Sequence, residues 1–159
     1  MKKWILLTLV LLLVAGGYFA WRLFLRPSED QLRATYWAVR EGDVTKLRKQ
    51  ISENRRVVTT RFKDSSMLLT ATGCFPPVPR QTEVIRILLE GGADANEGGG
   101  QPLWGVVFGD NLEAARLLLA HGADPHRKAG QMERSAYEEA AWREKADFVA
   151  LFDHHPKSK

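Results

Sequence analysis

The sequence predicts an all-α fold made of stacked helix-turn-helix units, and three observations carry that prediction. Asn111–Asp124, read as NLEAARLLLAHGAD, repeats the pattern of Thr82–Asp94, TEVIRILLEGGAD, about thirty residues apart. In the later copy Glu113, Arg116 and Ala120 form one narrow stripe, while Ala114, Ala115 and Leu117–Leu119 cover most of the remaining helix surface. Glu83, Arg86 and Glu90 mark the same stripe in the earlier copy. A helix so widely apolar needs cover from more than one side, supplied by a partner in its own unit and by the units above and below. Each copy then ends on a glycine, Gly92 or Gly122, able to take the left-handed conformation that stops a helix, and Ala-Asp opens a polar turn beyond it.

Taken in order, the 159 residues start with the basic leader Met1-Lys2-Lys3, followed by the uncharged run Trp4–Trp21. At about 1.5 Å per residue that run reaches roughly 27 Å, near the hydrocarbon thickness of a bilayer, and Leu23-Phe24-Leu25 extend it. The expectation is an N-terminal transmembrane helix over Trp4–Leu25, within a membrane anchor or signal sequence at residues 1–26. Val14-Ala15-Gly16 and Ala15-Gly16-Gly17 offer small residues for cleavage, yet the hydrophobicity runs past them, so an uncleaved anchor is the favoured of the two readings. No Cys follows the run, which excludes a lipoprotein anchor. Lys2, Lys3 and the amino terminus balance Arg22, Arg26 and Arg33, so charge does not orient the span. The short basic leader resembles a bacterial signal anchor, which implies a single-pass protein of the bacterial inner membrane with its repeats in the periplasm.

Residues 27–31 form a linker in which Pro27 interrupts the preceding helix and Ser28 or Asp30 caps the next. Residues 32–153 carry the repeats, and 154–159 a tail. Gln101-Pro102-Leu103 opens the best copy, Asp110-Asn111-Leu112-Glu113 makes its turn, and Leu117–Leu119 with Gly122-Ala123-Asp124 complete it. Ala38–Val44 with Leu47 and Ile51, Ser66–Ala71, and Ser135-Ala136-Tyr137 through Phe152 give an opening, a second and a closing copy. This combination resembles the ankyrin repeat, and implies an ankyrin-repeat solenoid of about four helix-turn-helix units. The sequence also departs from that family. Tyr36, Leu69, Trp104 and Glu138 stand where the family usually has His, so its hydrogen-bond network must be replaced by packing or lost. A Pro-rich insertion within Thr72–Gln81 cannot be helical. The glycine-rich connection Asn96–Gly100 is expected to be blunt and mobile.

The net charge of +4 comes from the membrane segment, because Lys2, Lys3, Arg22 and Arg26 leave nineteen basic against nineteen acidic side chains beyond it. Nucleic-acid binding is therefore not expected. Residues 27–63 are basic and 64–159 acidic, and Lys46, Arg48, Lys49, Arg55 and Arg56 either steady the first repeat on anionic headgroups or form a solvated face. The lone Cys74 cannot form an internal disulfide. His121, His126, His154 and His155 lack the spacing of a zinc site, and no nucleophile elbow or phosphate-binding loop is present. Glu138, Glu139 and Glu144 read as a solvent-side run. No catalytic residue, metal, cofactor or small-molecule substrate is expected, and the chain is not expected to be an enzyme.

In the ankyrin family partners usually dock on the surface built by the first helices and the hairpin tips. Carried onto this sequence, that implies partner-binding residues Trp37, Arg40, Thr70, Trp104, Phe108, Glu139 and Trp142, with Phe75 of the insertion as a second contact. Two readings of Trp37, Phe108 and Trp142 remain: anchors of an interface, or inward packing that replaces the missing histidines. The expected function is non-catalytic binding of another protein by a membrane-tethered module. The alternative is an immunity or inhibitor protein that neutralises a secreted toxin or envelope enzyme.

Overall fold

A computed structural model of the chain describes residues 26–73, 77–128 and 133–155. Among them are eight α-helices: α1 Glu29–Glu41, α2 Val44–Glu53, α3 Met67–Thr72, α4 Gln81–Glu90, α5 Glu97–Phe108, α6 Leu112–Ala120, α7 Ala136–Trp142 and α8 Ala146–Asp153. A single 3-10 turn, Arg55–Val57, follows α2. The helices pair as α1/α2, α3/α4, α5/α6 and α7/α8. Odd-numbered helices touch in one layer and even-numbered helices in the other. The core lies between these layers, with Leu47, Leu68, Ile85, Leu88, Leu103, Leu118 and Phe152 fully enclosed.

The expected transmembrane helix, Trp4–Leu25, lies outside the described residues. Among the described residues no helix is long and apolar enough to cross a membrane. The longest, α1, has 13 residues and reaches only about 20 Å at the usual helical rise. The fold class is corrected accordingly to an all-α stack whose described elements include no membrane-spanning helix.

Two features set where most of the helices start or stop. Side chains of Ser28, Asp43, Ser66, Asn111 and Ser135 accept backbone N–H groups of the first turns of α1, α2, α3, α6 and α7. At the exits the chain turns through a left-handed residue: Gly42 after α1 (φ 65°), Gly92 after α4 (98°), Asp110 after α5 (61°), Gly122 after α6 (83°) and Glu144 after α7 (56°). In every case the next N–H reaches back five residues, as in Asp43 to Ala38 O at 2.9 Å and Lys145 to Ala140 O at 2.9 Å, closing the paired hydrogen bonds of a Schellman stop. The exception among the first helices is α3. Gly73 is extended there (φ −58°, ψ 137°), and the chain leaves into the insertion instead.

Pro77–Arg80, the described end of that insertion, is anchored rather than loose. Val78 is buried, and the Pro79 carbonyl sits where a Cβ on Gly42 would approach it to 2.2 Å. Cys74, Phe75 and Pro76 lie outside the described residues. The glycine connection also differs from the expectation. Gly98, Gly99 and Gly100 all adopt left-handed φ of 60°, 75° and 92°, and Gly99 and Gly100 both donate to Asn96 O at 3.1 Å. Three glycines thus wind a tight turn that delivers Gln101-Pro102 into the right-handed part of α5, where proline's missing N–H is harmless.

Neighbouring pairs are tied by polar side chains that reach one unit onward. Arg55 donates to Gly91 O and Glu90 O, both at 2.9 Å. Asn96 Nδ2 donates to Gly122 O at 2.7 Å while its Oδ1 accepts Asp124 N at 2.8 Å, and His126 Nε2 lies 3.2 Å from His155 O. At the other end of α4 and α6, Asn111 Nδ2 donates to Gln81 Oε1 at 2.8 Å. The two Leu-rich helices are therefore joined start to start and end to end, which makes them parallel.

Gly42→Ala should lower the unfolding free energy by about 2–4 kcal/mol, because the left-handed strain adds to the clash with Pro79. Glu144→Gly, which relieves the same strain at an exposed turn, should raise it by about 0.5–1 kcal/mol. Urea unfolding of both variants checks the two signs together.

Candidate functional site

The first-helix layer carries all but one of the sequence-predicted partner-binding residues. Trp37 on α1 is 48% exposed and Trp142 on α7 is 61% exposed, the two large hydrophobic side chains left open among the described residues. Arg40 on α1 is half-buried. Thr70 on α3 is half-buried, and its hydroxyl donates to Ser66 O at 2.8 Å, so local bonding already engages it. Trp104 and Phe108, four residues apart on α5, are half-buried and stacked at 5.3 Å between ring centroids. Phe75 lies outside the described residues. Gly105, between the two α5 rings, is not an open position, since a Cβ there would meet Thr72 O at 2.7 Å.

Glu139 corrects the reading of Glu138, Glu139 and Glu144 as a solvent-side run. Glu138 and Glu144 are exposed, but Glu139 is 3% exposed. Its carboxylate accepts Arg143 Nε through one oxygen and pairs with Arg134 Nη1 at 3.7 Å through the other. A carboxylate withdrawn from water is retained only where such charges face it, so Glu139 holds its neighbours in place and is not itself open to a partner.

The arginines it holds are the residues that sequence reasoning did not single out. Arg143 lies over Phe108 at 4.1 Å and over Trp142 at 5.5 Å; Arg134 lies over Trp142 at 4.4 Å. The sequence-predicted Trp104, Phe108, Glu139 and Trp142 are thereby brought into one cluster spanning α5 and α7, with Arg143 over both Phe108 and Trp142 and Arg134 over Trp142 alone. The spacing of Glu139 and Arg143, one helical turn apart, was a legible signal. Arg134 precedes its helix and carried no such signal.

Trp37 stands at the opposite end of the layer, apart from that cluster. Its ring meets Tyr36 edge-on at 5.6 Å, Tyr36 packs on Phe62 at 5.5 Å, and Lys63 Nζ lies over the Tyr36 and Phe62 rings. A shallow cleft lined by Asp30, Arg33, Ala34, Trp37, Glu41 and Lys46 opens beside it.

Of Tyr36, Leu69, Trp104 and Glu138, three make specific contacts. Tyr36 and Trp104 pack on aromatic rings, and Trp104 Nε1 is buried without an acceptor among the described residues. Glu138 accepts Ser135 N at 2.8 Å in a capping box. In the closing unit Tyr137 donates to Asp153 Oδ1 at 3.1 Å, and that bond, reinforced by the carboxylate charge, raises the phenol pKa above its ordinary value.

No family model matches the chain. Over 75 residues it is 39% identical to 2-5A-dependent ribonuclease of Mus musculus, an alignment covering 43% of this chain and 9% of that protein. Over 47 residues it is 47% identical to BCL-6 corepressor-like protein 1 of Homo sapiens, covering 28% of this chain and 3% of that protein. The chain thus spans less than a tenth of the length of these curated relatives, and the likeness is one of a segment.

Glu139→Ala should lower stability by about 1–3 kcal/mol, a buried-pair loss discounted because both arginines are partly solvated. Released from their anchor, Arg134 and Arg143 should leave the Trp142 ring, and its fluorescence emission should shift to the red. Unchanged emission together with unchanged stability would remove Glu139 from this role.

Proposed function

We propose that this chain is an ankyrin-repeat module that binds another protein through the exposed first-helix face and catalyses no reaction. The single observation that supports this reading most is the pair Trp37 and Trp142: large aromatic side chains left open at opposite ends of one helix layer. Exposed indoles are expensive to leave in water and are the commonest anchors of protein interfaces. Three helix spacings of about 8–10 Å separate the helices that carry them, so a partner contacting both spans roughly 24–30 Å. The partial similarity to segments of two much longer proteins is in keeping with a portable repeat unit.

The test is capture of partners by the full chain, after cross-linking in the cells that make it, alongside the Trp37→Ala/Trp142→Ala double variant. Because both rings are largely exposed, the variant should unfold within about 1 kcal/mol of the parent. Recovery of the specific partner should fall by at least about tenfold, the loss of one modest anchor. Equal recovery by both baits would refute the assignment of this face.

A further inference from the structure

We infer that a second copy of this chain docks on the outer side of α1, the two α1 helices lying antiparallel about a two-fold axis at Trp37. The inference goes beyond the docking reading and does not rest on it. On α1 the side that holds Leu32, Thr35, Ala38 and Val39 is buried, and the helix packs on α2 and α3. Asp30, Arg33, Trp37 and Glu41 lie on the opposite side and are exposed, and no described unit covers them. Ala34 and Lys46, the latter on the first turn of α2, line the same cleft. Tyr36 meets the Trp37 indole edge-on at 5.6 Å and is itself packed on Phe62, so the ring is held in place before anything docks.

What selects a copy of the same chain is the order of charges along this side. Arg33 and Glu41 stand one helical turn before and one after Trp37, each about 6 Å from it along the axis and on its face. A two-fold at Trp37 exchanges these positions, so Arg33 of each copy meets Glu41 of the other. Further out, Asp30 lies before the indole and Lys46 after it, again with opposite signs. An isologous contact needs such self-complementarity, because every pairing across it occurs twice. The number of charges carries none of this: with Glu29 counted, this side has three acids and two bases. Arg33 already pairs with Glu29 at 3.0 Å and lies 3.9 Å from Asp30, but all three side chains are more than half exposed, and such pairs hold weakly. Glu41 and Lys46 make no ion pair among the described residues. Of the neighbouring charges, Asp43 caps α2, Lys49 pairs with Glu53 at 3.9 Å, and Arg40 is half-buried.

The experiment is sedimentation velocity of the full chain over a range of concentrations, alongside Arg33→Glu, Glu41→Arg and an equimolar mixture of the two variants. The parent should form a dimer whose Kd rises with salt as screening grows. Either single change sets like charges together at both symmetric contacts, and Kd should rise by at least about tenfold. In the mixture the two changed positions face each other across the axis, and the unchanged Arg33 and Glu41 meet as well, so mixed dimers should return to the parent's Kd. A parent that stays monomeric at about 0.1 mM overturns the inference. So does a dimer that tolerates both single changes, the result that association through residues 1–25 or another surface gives. Two weakened variants that fail to recover each other on mixing overturn it too. Both variants keep Trp37 and Trp142, so their capture of partners judges the docking face separately.

Discussion

No helix pair in this chain can satisfy itself. The Leu-rich second helices α4 and α6 are apolar around most of their girth and end in carbonyls that their own turns do not fully cap, so both the oily surface and the orphan acceptors are passed to the neighbouring unit. Val84, Ile85, Leu88 and Leu118 are buried because parallel α4 and α6 lie side by side. Arg55, Asn96 and His126 close the ends of successive units from the unit before. Stability is therefore a sum of interfaces, and the pairs form a column because any one of them alone would leave both debts open.

That column dictates what its first-helix face can present. The helices of this layer approach closely, as Gly105 does against Thr72 O. Side chains on the face are then few, and their surroundings are set by the units to either side. Aromatic rings fill part of this face. Trp104 and Phe108 stack within α5, and Arg143 of the next unit covers Phe108. Trp142 is propped by Arg134 and Arg143 and remains open. Trp142 is thus an exposed ring with two guanidiniums held beside it by one buried carboxylate.

Much of this was legible from residue order. The polar stripe read from Glu113, Arg116 and Ala120 is the exposed stripe of α6, and Gly92 and Gly122 take the left-handed stop expected of them. Less legible were Asp110 and Glu144, which take the same stop without glycine. Their neighbours close the Schellman bonds all the same, so backbone hydrogen bonding overrides the side chain's preference. The glycine run, expected to be mobile, is instead wound into a bonded turn by Asn96.

The sequence by itself determined the helical periodicity, the turn residues and the number of repeating units, because each is set within a few residues by backbone stereochemistry and one face of one helix. Tertiary structure alone decided which charges are withdrawn from water and which rings stay in it. Glu139 and Trp142 are three residues apart on the same helix, yet one is enclosed and the other open. The difference lies in Arg134, brought in from the preceding loop, and in the space the neighbouring α5 occupies, neither of which any local pattern encodes.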